Sequence, residues 1–83
     1  MGTETAKERK VILFTQPHCE PCRLAKVYLF DKGISFEERD VSEDRQALED
    51  LVEIYGSRTT PTIVIDDEIM MGLDQQRLDE IFG

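Results

Sequence analysis

No apolar run in the chain approaches the roughly 18 residues that a membrane-spanning helix needs, so no bilayer-crossing segment is expected. Positive charge is scarce as well: ten Lys and Arg stand against eighteen Asp and Glu, a formal net charge of −8. A surface of that sign repels polyanions, which argues against nucleic acid and anionic membranes as partners. Residues 1–9 hold charge without an apolar block, so they read as a flexible tail and not as a secretory leader. The opening Met1-Gly2 is not read as an acylation site either, because Ala6 stands where Ser or Thr is needed. Repeats and low-complexity tracts are absent, and 10–83 reads as a single domain.

Cysteine is scarce too. Only Cys19 and Cys22 occur, and a disulfide between them would close a loop of about four residues, which restrains an unfolded chain very little. A domain of this size buries only about 60–65% of its unfolded surface and is often stapled by disulfides or metal. This pair is a poor staple, so it points to chemistry or to a ligand. A closed tetrahedral metal site wants four donors; His18, Cys19 and Cys22 fall short of that, and no metal site is assigned.

Hydrophobic patterning organises the rest. Lys10 to Thr15 (KVILFT) is a short apolar run suited to a strand buried on both faces. A helix follows over about Cys22 to Lys32, with Leu24, Ala25, Tyr28 and Leu29 on one face and Gly33 as a stop. Phe36 to Val41 reads as a polar edge strand. Ser42 is a candidate cap for a helix whose first turn holds Glu43 and Asp44, whose apolar face is Leu48, Leu51, Val52 and Tyr55, and which Gly56 ends. Thr62 to Ile65 and Glu68 to Met71 flank Asp66-Asp67 as a hairpin, although that turn lacks glycine. A last helix begins at Asp74, with Leu73 and Leu78 as its staple and Leu78, Ile81 and Phe82 as its buried face. The order β-α-β-α-β-β-α, with a right-handed first crossover, predicts an α/β fold: a four-stranded mixed sheet flanked by three helices.

Cys19-Glu20-Pro21-Cys22 falls between the end of a central strand and the first turn of a helix. Unpaired N–H groups and the helix dipole place roughly half a positive charge there, which favours a thiolate. An ordinary thiol is only about 3% ionised at pH 7, whereas helix-start pairs of this spacing titrate far lower. The outer Cys19 is therefore the expected nucleophile, and the deeper Cys22 the thiol that resolves the mixed disulfide. Glu20 should oppose the thiolate and a protonated His18 should favour it. A second signal is Thr59-Thr60-Pro61, just before a strand. From the residues alone it is either a plain strand-start turn or a cis bond, which only about 5–6% of X-Pro bonds adopt.

These motifs, with Gly72-Leu73-Asp74, occur in an order that resembles the thioredoxin-fold family, specifically the glutaredoxins and their short redoxin relatives, from Val11 to Phe82. The resemblance implies a thiol–disulfide oxidoreductase with Cys19 and Cys22 catalytic. It also implies that Pro61 is cis, that the Thr60 backbone pairs with a cysteinyl substrate, that Gly72 allows close approach, and that Asp74 receives the α-ammonium of glutathione. Glutathione would then be a co-substrate, with no tightly bound cofactor. The implied partners are disulfide-containing proteins and either glutathione reductase or thioredoxin reductase, and the implied setting is a cytoplasmic monomer. Departures from the family pattern matter. Pro21 directly precedes the second cysteine, Gln16 stands where a basic residue often holds the glycine carboxylate of glutathione, and Met71 and Gln75 replace a glycine and an acid. The altered glutathione contacts fit a ribonucleotide-reductase-type redoxin reduced by thioredoxin reductase; a separate alternative, against which Pro21 counts, is a dimeric module that holds a metal or iron–sulfur cluster, as in some glutaredoxins.

Overall fold

A computed structural model describes residues 9–83, so the reading of residues 1–9 as a tail lies outside the described residues except at Arg9. The elements are β1 (Val11–Thr15), α1 (Glu20–Asp31), β2 (Glu37–Asp40), α2 (Arg45–Glu53), β3 (Thr62–Ile65), β4 (Glu68–Met71) and α3 (Gln75–Phe82). They form one mixed sheet in the order β2-β1-β3-β4, the four-stranded α/β arrangement expected. The β1–β2 pair is parallel, with Leu13 opposite Glu38, while β3 runs antiparallel to both β1 and β4.

Alternation along β1 decides the layering. Val11 and Leu13 join Ile63, Ile65, Ala25, Leu29 and Leu78 on the face covered by α1 and α3. Ile12 and Phe14 face the other way, with Val64, Ala47 and Leu51 beneath α2. Both faces of β1 are thus buried, as its continuous apolar run requires. β2 is the polar edge strand, and its side chains are exposed or half-buried.

Local differences from the sequence reading have plain causes. α1 begins at Glu20, earlier than Cys22, because Cys19 itself is the N-cap and Pro21 falls in the first turn, where its missing N–H leaves no bond unmade. Ser42 does not cap α2. Asp44 does, its carboxylate accepting the Gln46 N–H at 3.0 Å and the Ala47 N–H at 3.3 Å. The Ser42 N–H and hydroxyl both donate instead to Asp40 Oδ1, at 2.8 and 2.6 Å. The buried face of α2 is Ala47 and Leu51, and Leu48 is 45% exposed. Leu24 is likewise exposed on α1. The Asp66-Asp67 turn manages without glycine: Asp66 takes φ +52°, a left-handed conformation that Asp tolerates better than most residues. Its carboxylate accepts the Lys10 N–H at 3.0 Å, and its own N–H donates to the Lys10 carbonyl at 2.9 Å.

Candidate active site

β1 delivers the chain to the site by a short loop in which His18 has φ +59° and is exposed. Cys19 follows in extended conformation as the N-cap of α1, and its sulfur accepts the Cys22 N–H at 3.3 Å. The usual capping oxygen is replaced by a sulfur, which carries more charge the more it ionises, so the helix start stabilises the thiolate. Thr60 closes on it from the opposite side. Its hydroxyl donates to Cys19 Sγ at 3.8 Å, and its carbonyl lies 3.8 Å from the same sulfur as an acceptor for the protonated thiol.

The two sulfurs are treated in opposite ways. For Cys19 burial pushes the pKa up, but hydrogen bonds from the Cys22 side chain and backbone and from the Thr60 hydroxyl outweigh it, and the net result lies below the usual thiol value. Glu20 opposes the thiolate least of these influences, and its carboxylate is paired with Arg23. Cys22 is 2% exposed. Burial raises its pKa, and donation to the Cys19 sulfur raises it further, so this thiol holds its proton.

The substrate-side expectations divide. The Thr60–Pro61 bond is cis, as the resemblance implied. The Gly72 N–H donates to the Pro61 carbonyl at 2.7 Å, which ties the end of β4 to this loop. Gly72 has φ +94° and open space where a Cβ would stand, so the backbone conformation, rather than crowding, is what calls for glycine. Asp74 is exposed and caps α3 by accepting the Arg77 N–H at 3.1 Å. Cys19, Cys22 and Thr60 therefore touch one another, Pro61 and Gly72 adjoin them through the chain, and Asp74 stands at the start of the next helix.

An open cleft of about 360 Å³ lies on the other side of the cysteines. Thr15, Gln16, His18, Lys26 and Glu38 take part in its walls, and sequence reasoning missed Thr15, Lys26 and Glu38. Glu38 Oε2 accepts from the buried Thr15 hydroxyl at 2.9 Å and from Lys26 Nζ at 3.2 Å. The spacing of Lys26, one helical turn after Cys22, was a usable signal. Nothing local placed Glu38 there, since its position depends on the parallel register of β2 against β1. Among the described residues, no three His, Cys, Asp or Glu side chains converge to hold a metal ion, and no helix is long and apolar enough to cross a membrane.

Known proteins resemble this chain in sequence and fold. Residues 11–70 match the sequence profile of the Glutaredoxin family. Glutaredoxin 3 of Escherichia coli (strain K12) is 33% identical over 64 residues, covering 77% of each chain. The crystal structure of the thioredoxin-like protein BC3987 superposes with a TM-score of 0.84 at 38% identity, over 87% of this chain and 99% of that one. The NrdH-redoxin of Escherichia coli shares the fold with a TM-score of 0.77 at 22% identity, over 89% and 96% of the two chains. With the profile spanning most of the domain and the cysteine pair seated at the start of α1, this chain belongs to the glutaredoxin family.

Proposed function

We propose that the protein is a thiol–disulfide oxidoreductase that reduces protein disulfides or glutathione mixed disulfides through Cys19 and Cys22. The observation that carries this reading is the opposite treatment of the two sulfurs: a half-buried Cys19 held below the ordinary thiol pKa, and a buried Cys22 held above it. The Cys19 thiolate attacks one sulfur of the substrate disulfide, the S–S bond breaks, and the departing thiolate takes a proton from water. The resulting mixed disulfide removes the negative charge from Cys19. Cys22 then loses its proton and attacks the Cys19 sulfur, which expels the second substrate thiolate. Two electrons have passed to the substrate, and an external thiol donor must return two to the Cys19–Cys22 disulfide. Such chemistry suits a reducing compartment such as the cytoplasm, and it needs no resident cofactor and no second copy of the chain.

Thr60 and Pro61 would line the substrate sulfur, with Gly72 beside them, and Asp74 would meet the ammonium group of glutathione. The electron donor is where a second reading has support. Arg23 and Lys26, the cations in the cleft wall, are paired with Glu20 and Glu38, and Gln16 is uncharged. The glycine carboxylate of glutathione thus gains little on this wall, which favours a redoxin that takes electrons from thioredoxin reductase.

NADPH oxidation with a model disulfide tests both readings, with glutathione plus glutathione reductase in one arm and thioredoxin reductase in the other. Turnover in either arm that Cys19→Ser abolishes, with Cys22→Ser trapping a mixed disulfide, is the expected result. Alkylation of Cys22 before Cys19 at neutral pH would overturn the assignment. Metal content of anaerobically purified protein separates these readings from a cluster-bridged dimer.

A further inference from the structure

Ser57 and Thr62 are buried polar residues that the redox chemistry above does not use. Ser57 is 1% exposed and Thr62 0% exposed. Their hydroxyls lie 2.8 Å apart, and the Thr62 hydroxyl donates to the Thr59 carbonyl at 2.6 Å. With its single proton committed there, Thr62 Oγ1 can only accept from Ser57, so the Ser57 hydroxyl is the donor between them. A 3.5 Å contact from Ser57 to the Thr59 carbonyl is the weaker of that proton's two options. Ser57 Oγ in turn accepts the Thr59 N–H at 3.3 Å. The bonds close a ring: Thr59 N–H to Ser57, Ser57 to Thr62, Thr62 to Thr59 C=O.

That ring holds both polar backbone groups of Thr59, the residue immediately before the one whose hydroxyl and carbonyl face Cys19. It is anchored at both ends. The Ser57 N–H donates to the Leu51 carbonyl in α2 at 3.0 Å, and Thr62 is the first residue of β3. Thr59 itself is exposed, so its own side chain does not fix the loop. We propose that Ser57 and Thr62 are positioning residues, whose closed hydroxyl ring holds Thr60 against Cys19 and thereby tunes the reactivity of that sulfur. This rests on the reading of Cys19 as the nucleophile. When the ring opens, the loop before Pro61 gains freedom, and the Thr60 hydroxyl loses part of its hold on the thiolate.

The test is the pH profile of Cys19 alkylation by iodoacetamide in the full chain, read residue by residue by mass. Thr62→Val keeps shape and removes the hydroxyl, whereas Thr62→Ser keeps the hydroxyl. Thr62→Val and Ser57→Ala are expected to move the Cys19 midpoint upward and to slow alkylation below the wild-type midpoint by about threefold or more. Thr62→Ser should follow the wild-type profile. A merely structural role would lower thermal stability and leave the midpoint in place. A folded Thr62→Val whose profile superposes on the wild type overturns the proposal, and so does a Thr62→Ser that shifts as far as Thr62→Val. If Thr62→Val does not fold, Ser57→Ala decides by the same profile. An ordinary thiol titration for Cys19 in the wild type would instead sink the nucleophile assignment, and the ring proposal with it.

Discussion

The two faces of the sheet are held by different kinds of interaction. Beneath α1 and α3, the larger apolar cluster draws on β1, β3, β4 and both helices, with Leu29 and Leu78 fully excluded from solvent, and the buried polar residue Thr15 sits at its edge, at the end of β1, donating to Glu38. Beneath α2 the apolar core is smaller, and polar groups supplement it. Arg39 lies 5.6 Å from the Phe14 ring centroid and donates to Asp50 at 2.7 Å, while the Ser57–Thr62 ring locks the loop behind it. The division matches what each face carries. α1 carries Cys19 at its N-terminus, and a hydrocarbon core suits it because it need only be immobile. The loop that brings Thr60 to Cys19 is backbone in an irregular conformation, and irregular backbone can be satisfied only by directional hydrogen bonds. Hydrocarbon positions the helix; hydrogen bonds position the loop.

The widest test of the contrast is Leu29→Ala. A leucine removed from a fully packed site should lower the unfolding free energy by about 2–5 kcal/mol, measured by urea denaturation. A loss below about 1 kcal/mol would mean that the α1 face is loosely packed.

On the α2 face, Arg39→Met should cost about 1–2 kcal/mol, since it leaves the half-buried Asp50 with only the Gln46 amide as a side-chain donor while keeping much of the packing on Phe14. Arg39→Lys should not restore the full value, because an ammonium cannot reproduce the planar guanidinium contact with the ring. Full rescue by lysine would count against that geometry.

The same face should contribute to acid stability. The Arg39 hydrogen bond and then the Gln46 amide hold the Asp50 carboxyl below its ordinary value. A depressed carboxyl contributes stability that is present above the unfolded pKa, near 3.9, and that fades as pH falls through the lower folded value. Asp50→Asn should therefore flatten the decline in stability below about pH 4. An acid limb as steep as that of the wild type would assign the decline to other carboxylates.

Smaller effects are expected where charges meet in water. Arg77 pairs with Glu68 at 2.7 Å and with Glu80 at 3.1 Å, with all three side chains well exposed. Arg77→Ala should change stability by less than about 1 kcal/mol, and by less still in high salt. Smallest of all, Glu20→Gln should lower the Cys19 midpoint slightly, since its opposing charge is already met by Arg23. A large shift would show that Arg23 does not shield it.

Much of this was legible in the chain. Thr62–Ile65 and Glu68–Met71 read as strands with their observed limits, because apolar side chains and a tight Asp66-Asp67 turn are local signals. The Cys19–Cys22 pair stood out because its spacing and its place at a helix start are local too. Helix starts were less legible. Cys19 and Asp44 cap α1 and α2, whereas the pattern favoured Cys22 as the first turn and Ser42 as a cap, since several residues in a row could serve and backbone geometry selects one. Leu48 shows the same ambiguity, sitting at helical spacing yet left outside the core.

By itself the sequence determined the order of elements, the acidic surface and the cysteine pair at the head of α1, because each depends on residues within a few positions of one another. Tertiary structure alone decided what surrounds those sulfurs. Thr60 approaches Cys19 from 41 positions along the chain, and Glu38 reaches the cleft through strand register. Ser57 and Thr62 are only five positions apart, yet their hydroxyls meet in an irregular loop whose path is set by α2 at one end and β3 at the other. The opposite pKa shifts of the two thiols combine local hydrogen bonds between Cys19 and Cys22 with burial and the Thr60 hydroxyl, and only the latter two need distant segments to close on one site.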